Sequence, residues 1–267
     1  MAQKRVFITG GASGFGRALA ERYTRAGHRV CIGDVHEERG RATLAALREV
    51  EKRAEFRRCD VTRDEDFEAV ADFLGSEWGG VDVVINNAGV AAAGTIGETP
   101  MVDWRWIVDI NLLGVVRGCR TFAPRLSAQK SGQIINISSM AGLIAPPTMA
   151  AYNTTKAAVV ALSETLAVEL APDGVRVSVV CPGFFRTNLT ESLKTENPRA
   201  RKLMSKLVDE AERSADDIAD YTFHAAEKGE FHILPHPEGR SIWALKRLAP
   251  WSVYARILKQ RTLKMRG

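Results

Sequence analysis

Short apolar runs recur along the chain, each followed by a longer stretch in which apolar residues return every three or four positions. "RVFIT" (5–9), "RVCIGD" (29–34), "FRRCDV" (56–61), "VDVVINN" (81–87), "GQIINISS" (132–139), "VRVSVVCP" (175–182) and "FHILP" (231–235) read as strands. Helical periodicity fills 14–26, 37–52, 64–78, 101–130, 150–171 and 216–228. Strict alternation of the two implies a parallel sheet of about seven strands, covered by helices on both faces. Without internal repeat or linker, the pattern predicts one doubly wound α/β domain over 1–238, with a separate extension over 239–267. Residues 188–212 are more polar and less regular, and they follow the sixth strand. That position predicts a mobile helical lid over the crevice at the sheet's ligand edge; a solvated helical insertion is the bland alternative.

Composition narrows this little. The 267 residues are 45% hydrophobic and 26% charged, as in ordinary globular chains. No apolar run approaches the ~20 residues of a membrane span. The N-terminus lacks a signal-peptide core, so a cytoplasmic location is expected. Cys31, Cys59, Cys119 and Cys181 match no metal-ligand spacing and read as small buried hydrophobes, with no metal expected. Charge is more informative. Of the net +5, a +8 surplus lies in 239–267, so the remainder is −3. A basic tail on a mildly acidic domain argues against a nucleic-acid binder.

The first strand runs into "TGGASGFG" (9–16) and then a helix. Gly10, Gly14 and Gly16 permit a tight turn that aims free helix N–H groups, including those of Ser13 and Phe15, at a pyrophosphate. Such turns join many strands to helices, but the placement after strand one points to a Rossmann-type nucleotide site. Asp34 closes strand two, where an acid grips ribose hydroxyls and repels a 2′-phosphate. With no base at Ser13 or Val35, NAD is expected over NADP, although Arg17 and Arg39 could soften that preference. Asp60 and Val61 end strand three, where an adenine would lie. "NNAG" (86–89), with Asn87 and Gly89, ends strand four at the same edge; taken alone it is equally a plain turn.

Tyr152 and Lys156 stand four apart in "AAYNTTKAAV", on one face of a helix. Ser139 ends strand five and can converge on them. A phenol near pKa 10 is a poor base at neutral pH; bringing it to about 7 takes roughly 4 kcal/mol of preference for the phenolate. A nearby cation supplies part of that, and Ser139 would hold the substrate oxygen. Tyr-x-x-x-Lys alone is a common accident of helices. Its agreement with the glycine turn, Asp34 and Ser139 is not.

Together "TGGASGFG", Asp60-Val61, "NNAG", Ser139, "YNTTK" and "PGFFRT" resemble the classical short-chain dehydrogenase/reductase family over residues 4 to about 190. The resemblance implies hydride transfer between NAD and a hydroxyl-bearing carbon. It makes Tyr152 the acid/base, and Lys156 its activator and a ribose ligand. It also makes Asn111 a fourth catalytic residue, kinking its helix and holding a water that links Lys156 to solvent. Pro182 and Gly183 would lie beside the nicotinamide and Thr187 near its carboxamide. Family members are usually homotetramers or dimers.

Leu143, Ile144, Met149, Phe184, Phe185 and Leu189 would line an apolar substrate pocket with Arg186 its one charge, favouring a hydrophobic secondary alcohol or ketone. The C-terminus departs from the commonest family pattern and resembles a subgroup whose "HPE" stretch leads into a helical extension. In it Trp251, Tyr254, Ile257 and Leu258 share one side, with Arg256 and Lys259 opposite and Arg261 and Lys264 blurring the pattern. Packing on a subunit or the pocket mouth leads, then peripheral membrane contact, then a frayed tail. His232 and His236 read as surface or packing residues. Two rivals remain: a catalytically silent dinucleotide sensor or scaffold, and a sugar-nucleotide epimerase or dehydratase, for which too few residues follow "PGFF".

Overall fold

The computed structural model describes residues 2–266, with side chains as far as residue 260. The strands are β1 (Arg5–Thr9), β2 (Arg29–Asp34), β3 (Glu55–Arg58), β4 (Val83–Asn86), β5 (Gly132–Ile137), β6 (Val175–Val180) and β7 (His232–Ile233). They form one parallel sheet in the order β3-β2-β1-β4-β5-β6-β7. The order reverses between β1 and β4, so the two connections leaving that point run to opposite sides and open a crevice.

Both faces of the sheet are buried, which is why its strands are nearly continuously apolar. Val6, Ile8, Val30, Ile32, Val83 and Ile85 face one layer, built from α1 (Gly14–Arg25), α2 (Glu37–Arg48) and α9 (Ala215–Glu227). Phe7, Cys31, Val84 and Ile134, one residue out of phase, face α3 (Asp64–Trp78), α5 (Gly114–Gln129) and α7 (Ala150–Leu170). All four cysteines are buried and free.

The helix expected over 101–130 divides. α4 (Met101–Val108) and α5 are joined by a π-helical segment, Asp109–Leu113, with Asn111 at its centre. Arg117 braces that segment, pairing with Asp109 at 2.8 Å and donating to the Val61 carbonyl at 3.1 Å. β1 and β2 match their apolar runs, whereas β3 to β7 fall short of theirs at one end or both, with β7 reduced to two residues. A short helix, α6 (Met140–Ile144), lies between β5 and α7. The segment expected to form a lid, 188–212, contains a 3-10 turn, Asn188–Ser192, and α8 (Pro198–Asp209).

The extension is ordered against its own chain. α10 (Pro237–Leu248) and α11 (Trp251–Arg266) sit beside α6, and the Lys246 ammonium donates to the Leu143 carbonyl. Tyr254, only 1% exposed, donates its hydroxyl to the Ile144 carbonyl. Both carbonyls end α6, where no further turn can use them. Trp251 lies on the same side, its ring 6.0 Å from that of Tyr254, but it is 71% exposed, because it stands at the start of α11, before the helix reaches α6. Arg256 and Lys259 face solvent, and the side chains of Arg261 and Lys264 lie outside the described residues. Tyr254→Phe leaves the Ile144 carbonyl without this donor. It should cost about 1 kcal/mol and lower the thermal midpoint by about 2–4 °C in calorimetry; an unchanged midpoint would remove this bond from the extension's attachment.

Candidate active site

At the reversal point the ends of β1 and β4 are tied together by side chains. The Asn87 amide donates to the carbonyl oxygens of Thr9 (2.9 Å) and Gly10 (3.2 Å), and the Thr9 hydroxyl accepts from Asn87 and Ala88 N–H. "NNAG" is therefore more than a turn: it pins the glycine turn. From the other side the buried Asp34 carboxylate accepts from the N–H groups of Ala12 and His36, both at 3.0 Å. The turn delivers the chain into α1, whose start at Gly14 has no side-chain cap, leaving N–H donors at a helix end. Gly14 has φ +51°, and a Cβ there would lie 2.2 Å from the Asn188 side chain. An uncapped helix end behind a glycine turn fits a dinucleotide pyrophosphate.

The other expected cofactor residues lie around this edge. Ser13 precedes α1 and its hydroxyl accepts from the Asn188 amide at 2.9 Å. Gly10 and Gly16 flank the turn. The Phe15 side chain instead packs edge-on against Phe185 in the core, leaving its backbone for any ligand. Asp60 accepts from the Thr62 N–H and hydroxyl; burial alone would raise its carboxyl, but these bonds hold it below the ordinary range. Val61 packs on Gly114. Gly89 lies beside the Asn111 amide and the Lys156 ammonium, and Thr187 faces Gly14.

Ser139, Tyr152 and Lys156 converge beyond β5. Ser139 caps α6: its oxygen accepts from the Ala141 N–H at 3.1 Å, and its hydroxyl lies 3.4 Å from the Pro182 carbonyl oxygen. Tyr152 and Lys156 are both buried on α7. The Lys156 ammonium donates to the Ile137 carbonyl at 2.9 Å and stands 5.8 Å from the centre of the Tyr152 ring. Asn111 grips Val90 with both ends of its amide, accepting from its N–H at 2.8 Å and donating to its carbonyl at 2.9 Å.

Burial pushes the Tyr152 phenol up to about 12, against the Ser139 hydroxyl beside it, which lowers it. Burial likewise brings the Lys156 ammonium down to about 8. In both groups lost water is the largest cause.

The apolar cluster around Tyr152 contains Ala91, Ala92, Met149, Leu193 and Met204, with Leu189 against it. Met149 and Leu189 thus pack beside Tyr152. Leu143 packs instead with Val160, Val179 and Leu234, Phe185 joins the core beneath α1, and Phe184 is exposed. The lid is docked: Lys194 pairs through its backbone with Ala91 and Ala93, and through its ammonium with Asp103 at 3.0 Å. Asn188, Leu193 and Met204 were not singled out from the sequence, because an irregular polar segment gives no periodicity to orient them. His236, which the sequence offers only as a surface or packing residue, is buried and bonded to Gly183 and Phe184. An open groove of about 950 Å³ between α1 and α9, lined by charged residues such as Arg22 and Asp217, shares no residue with the site.

Lys156 carries a pH signature. Unfolded, it titrates at the ordinary 10.5; folded, at about 8. Between these values the unfolded chain binds the extra proton, so the stabilising neutral form is fully available above 10.5 and lost as pH falls through 8. Lys156→Met lacks this dependence. Its stability relative to the native chain, from urea unfolding, should therefore decline as pH rises from 8 to 10.5; a constant difference would show that Lys156 is not desolvated.

Residues 4–198 match the family described as short chain dehydrogenase. The chain is 32% identical over 256 residues to a CLA biosynthesis dehydrogenase/reductase from Lactiplantibacillus plantarum, covering 88% of each. It is 35% identical over 188 residues to a 3-alpha-(or 20-beta)-hydroxysteroid dehydrogenase from Mycobacterium tuberculosis, covering 70% of this chain and 71% of the relative. A short chain dehydrogenase/reductase from Burkholderia phymatum, solved in complex with NAD, superposes with a TM-score of 0.87 at 34% identity, covering 92% and 93% of the two chains. With this family match over 4–198, these relatives and the seven-stranded parallel sheet, the chain belongs to the short-chain dehydrogenases.

Proposed function

We propose that the protein interconverts hydrophobic secondary alcohols and ketones with NAD(H), using Tyr152 as the acid/base. The observation that carries this is the placement of Ser139, Tyr152 and Lys156 beneath an apolar lid. In this setting charge on a substrate would be left unpaired, whereas an apolar carbonyl compound loses nothing. One relative, by its name, is a hydroxysteroid dehydrogenase, which fits this reading.

Bound nicotinamide would accept or supply the hydride. The remaining work belongs to the chain. Ser139 offers a hydroxyl to the substrate oxygen, and Tyr152 exchanges a proton with it. With its phenol at about 12, Tyr152 is held protonated, ready to donate to a carbonyl oxygen. In the oxidising direction it must first lose that proton, which the positive charges of Lys156 and an oxidised nicotinamide favour. The Asn111 side chain bonds Val90 with both ends of its amide, which fixes it beside the Lys156 ammonium. Tyr152 and the cluster around it are covered, so substrate entry requires the lid to lift from Ala91–Ala93.

NAD preference rests on the buried Asp34 carboxylate, which would face a 2′-phosphate. Arg39, the nearest compensating charge, is occupied by Glu191 of the lid at 2.8 Å. Purified protein should form NADH from hydrophobic secondary alcohols, and Tyr152→Phe should lower kcat by about 10²–10⁴ while still binding NADH. NADH binding without turnover of any alcohol or ketone would favour the silent sensor reading. Asp34→Ala should raise the ratio of kcat/KM for NADP to that for NAD by about tenfold or more, about 1.4 kcal/mol; an unchanged ratio would remove Asp34 from cofactor choice.

A further inference from the structure

His236 precedes α10 and is buried, 5% exposed, with its ring against the turn that follows β6. The Gly183 N–H donates to Nδ1 at 3.0 Å, and Nε2 lies 3.0 Å from the Phe184 carbonyl oxygen. A backbone N–H can only donate and a carbonyl can only accept. The pair therefore requires the neutral ring with its proton on Nε2. Burial acts in the same direction, holding the imidazole below its ordinary value. The ring approaches so closely because residue 183 is glycine: a Cβ there would stand 3.1 Å from His236 Cγ.

The other side of this turn meets the catalytic residues. The Pro182 carbonyl accepts from the Met140 N–H at 2.9 Å and faces the Ser139 hydroxyl. From there the chain runs along the crevice to Thr187, whose hydroxyl oxygen lies 2.9 Å from where a Gly14 Cβ would be. Residues 182–187 thus span the distance from the catalytic serine to the glycine turn, and His236 fixes the backbone where that span begins. The histidine is itself anchored. Its carbonyl accepts from the Gly239 N–H at 3.1 Å, Gly239 packs on Met140, and Arg240 donates to the Leu234 carbonyl.

We infer that His236 is a positioning residue, through which the C-terminal extension holds the 182–187 span in the path that closes the dinucleotide crevice; this rests on the dehydrogenase reading above. The extension thereby sets cofactor affinity from outside the nucleotide-binding half of the sheet.

The test compares His236→Phe, which keeps a ring but neither hydrogen bond, with His236→Asn, whose Oδ1 takes the place of Nδ1 and can still accept from Gly183. NADH titration followed by fluorescence should give a Kd raised about tenfold or more in the Phe variant and restored to within about threefold of native in the Asn variant. A role in stability alone would move the thermal midpoints without this recovery. Native-like affinity in the Phe variant, or equal weakening in both, would overturn the inference. Should the Phe variant not fold, His236→Gln replaces it: its amide nitrogen takes the place of Nε2, still donating to the Phe184 carbonyl, and leaves Gly183 unpaired, so Gln must bind NADH more weakly than Asn. Equal affinities would overturn the inference. Native protein that does not bind NADH would overturn the dehydrogenase reading as well, whereas native binding with indifferent variants overturns the inference alone.

Discussion

Asn87 donates from one side-chain amide to two carbonyl oxygens on the far side of the gap where the parallel sheet reverses its order. Strand pairing stops just short of this point, so β1 and β4 diverge where a ligand must enter. A backbone ladder cannot hold an open crevice, but an amide can bridge it. From Asn87 the linkage continues through the next residues to Val90, held by Asn111, whose amide also approaches the Thr155 hydroxyl at 3.5 Å. Thr155 in turn donates to the Tyr152 carbonyl. The glycine turn and Tyr152 are thus joined by side-chain amides and hydroxyls. The π segment exists to aim one of them.

Around this framework, burial dominates charge. Tyr152 and Lys156 share a face of α7, yet each responds mainly to the water it has lost. The ammonium is oriented towards the Ile137 carbonyl, so a strand end and not the phenol is its closest partner. The pair is therefore two separately desolvated groups, whose balance can be shifted by any charge arriving between them.

Much of this was legible in the chain. The seven strands, the sheet's direction and the layering follow from apolar runs and helical periods, because both faces of a parallel sheet must be covered. The convergence of Ser139, Tyr152 and Lys156 was readable from spacing, since i, i+4 on a helix and the end of a strand fix direction as well as position. What escaped was tertiary. The phenol's rise depends on how completely the lid covers it, which no local pattern states. Phe184 and Phe185 adjoin in sequence, but the turn after β6 sends one into the core and the other to solvent. Trp251 and Tyr254 share an amphipathic stripe, but only Tyr254 reaches α6. His236 lies about 50 residues beyond the glycine it holds, and no periodicity links the two.

The π-helical segment Asp109–Leu113 places an extra residue in what would otherwise be a single rod. Each residue of an α-helix turns the chain by about 100°. Ile107 before the segment is buried towards Tyr152, while Val115, Phe122 and Leu126 after it are buried against the sheet. The two stripes keep their separate targets because the extra residue sets their phase. Loss of one residue here would restore a regular helix and swing one stripe away from its surface. In the divergence of such sequences, length across 109–113 is therefore constrained more tightly than residue identity, and a gap placed there in an alignment would mark a different site.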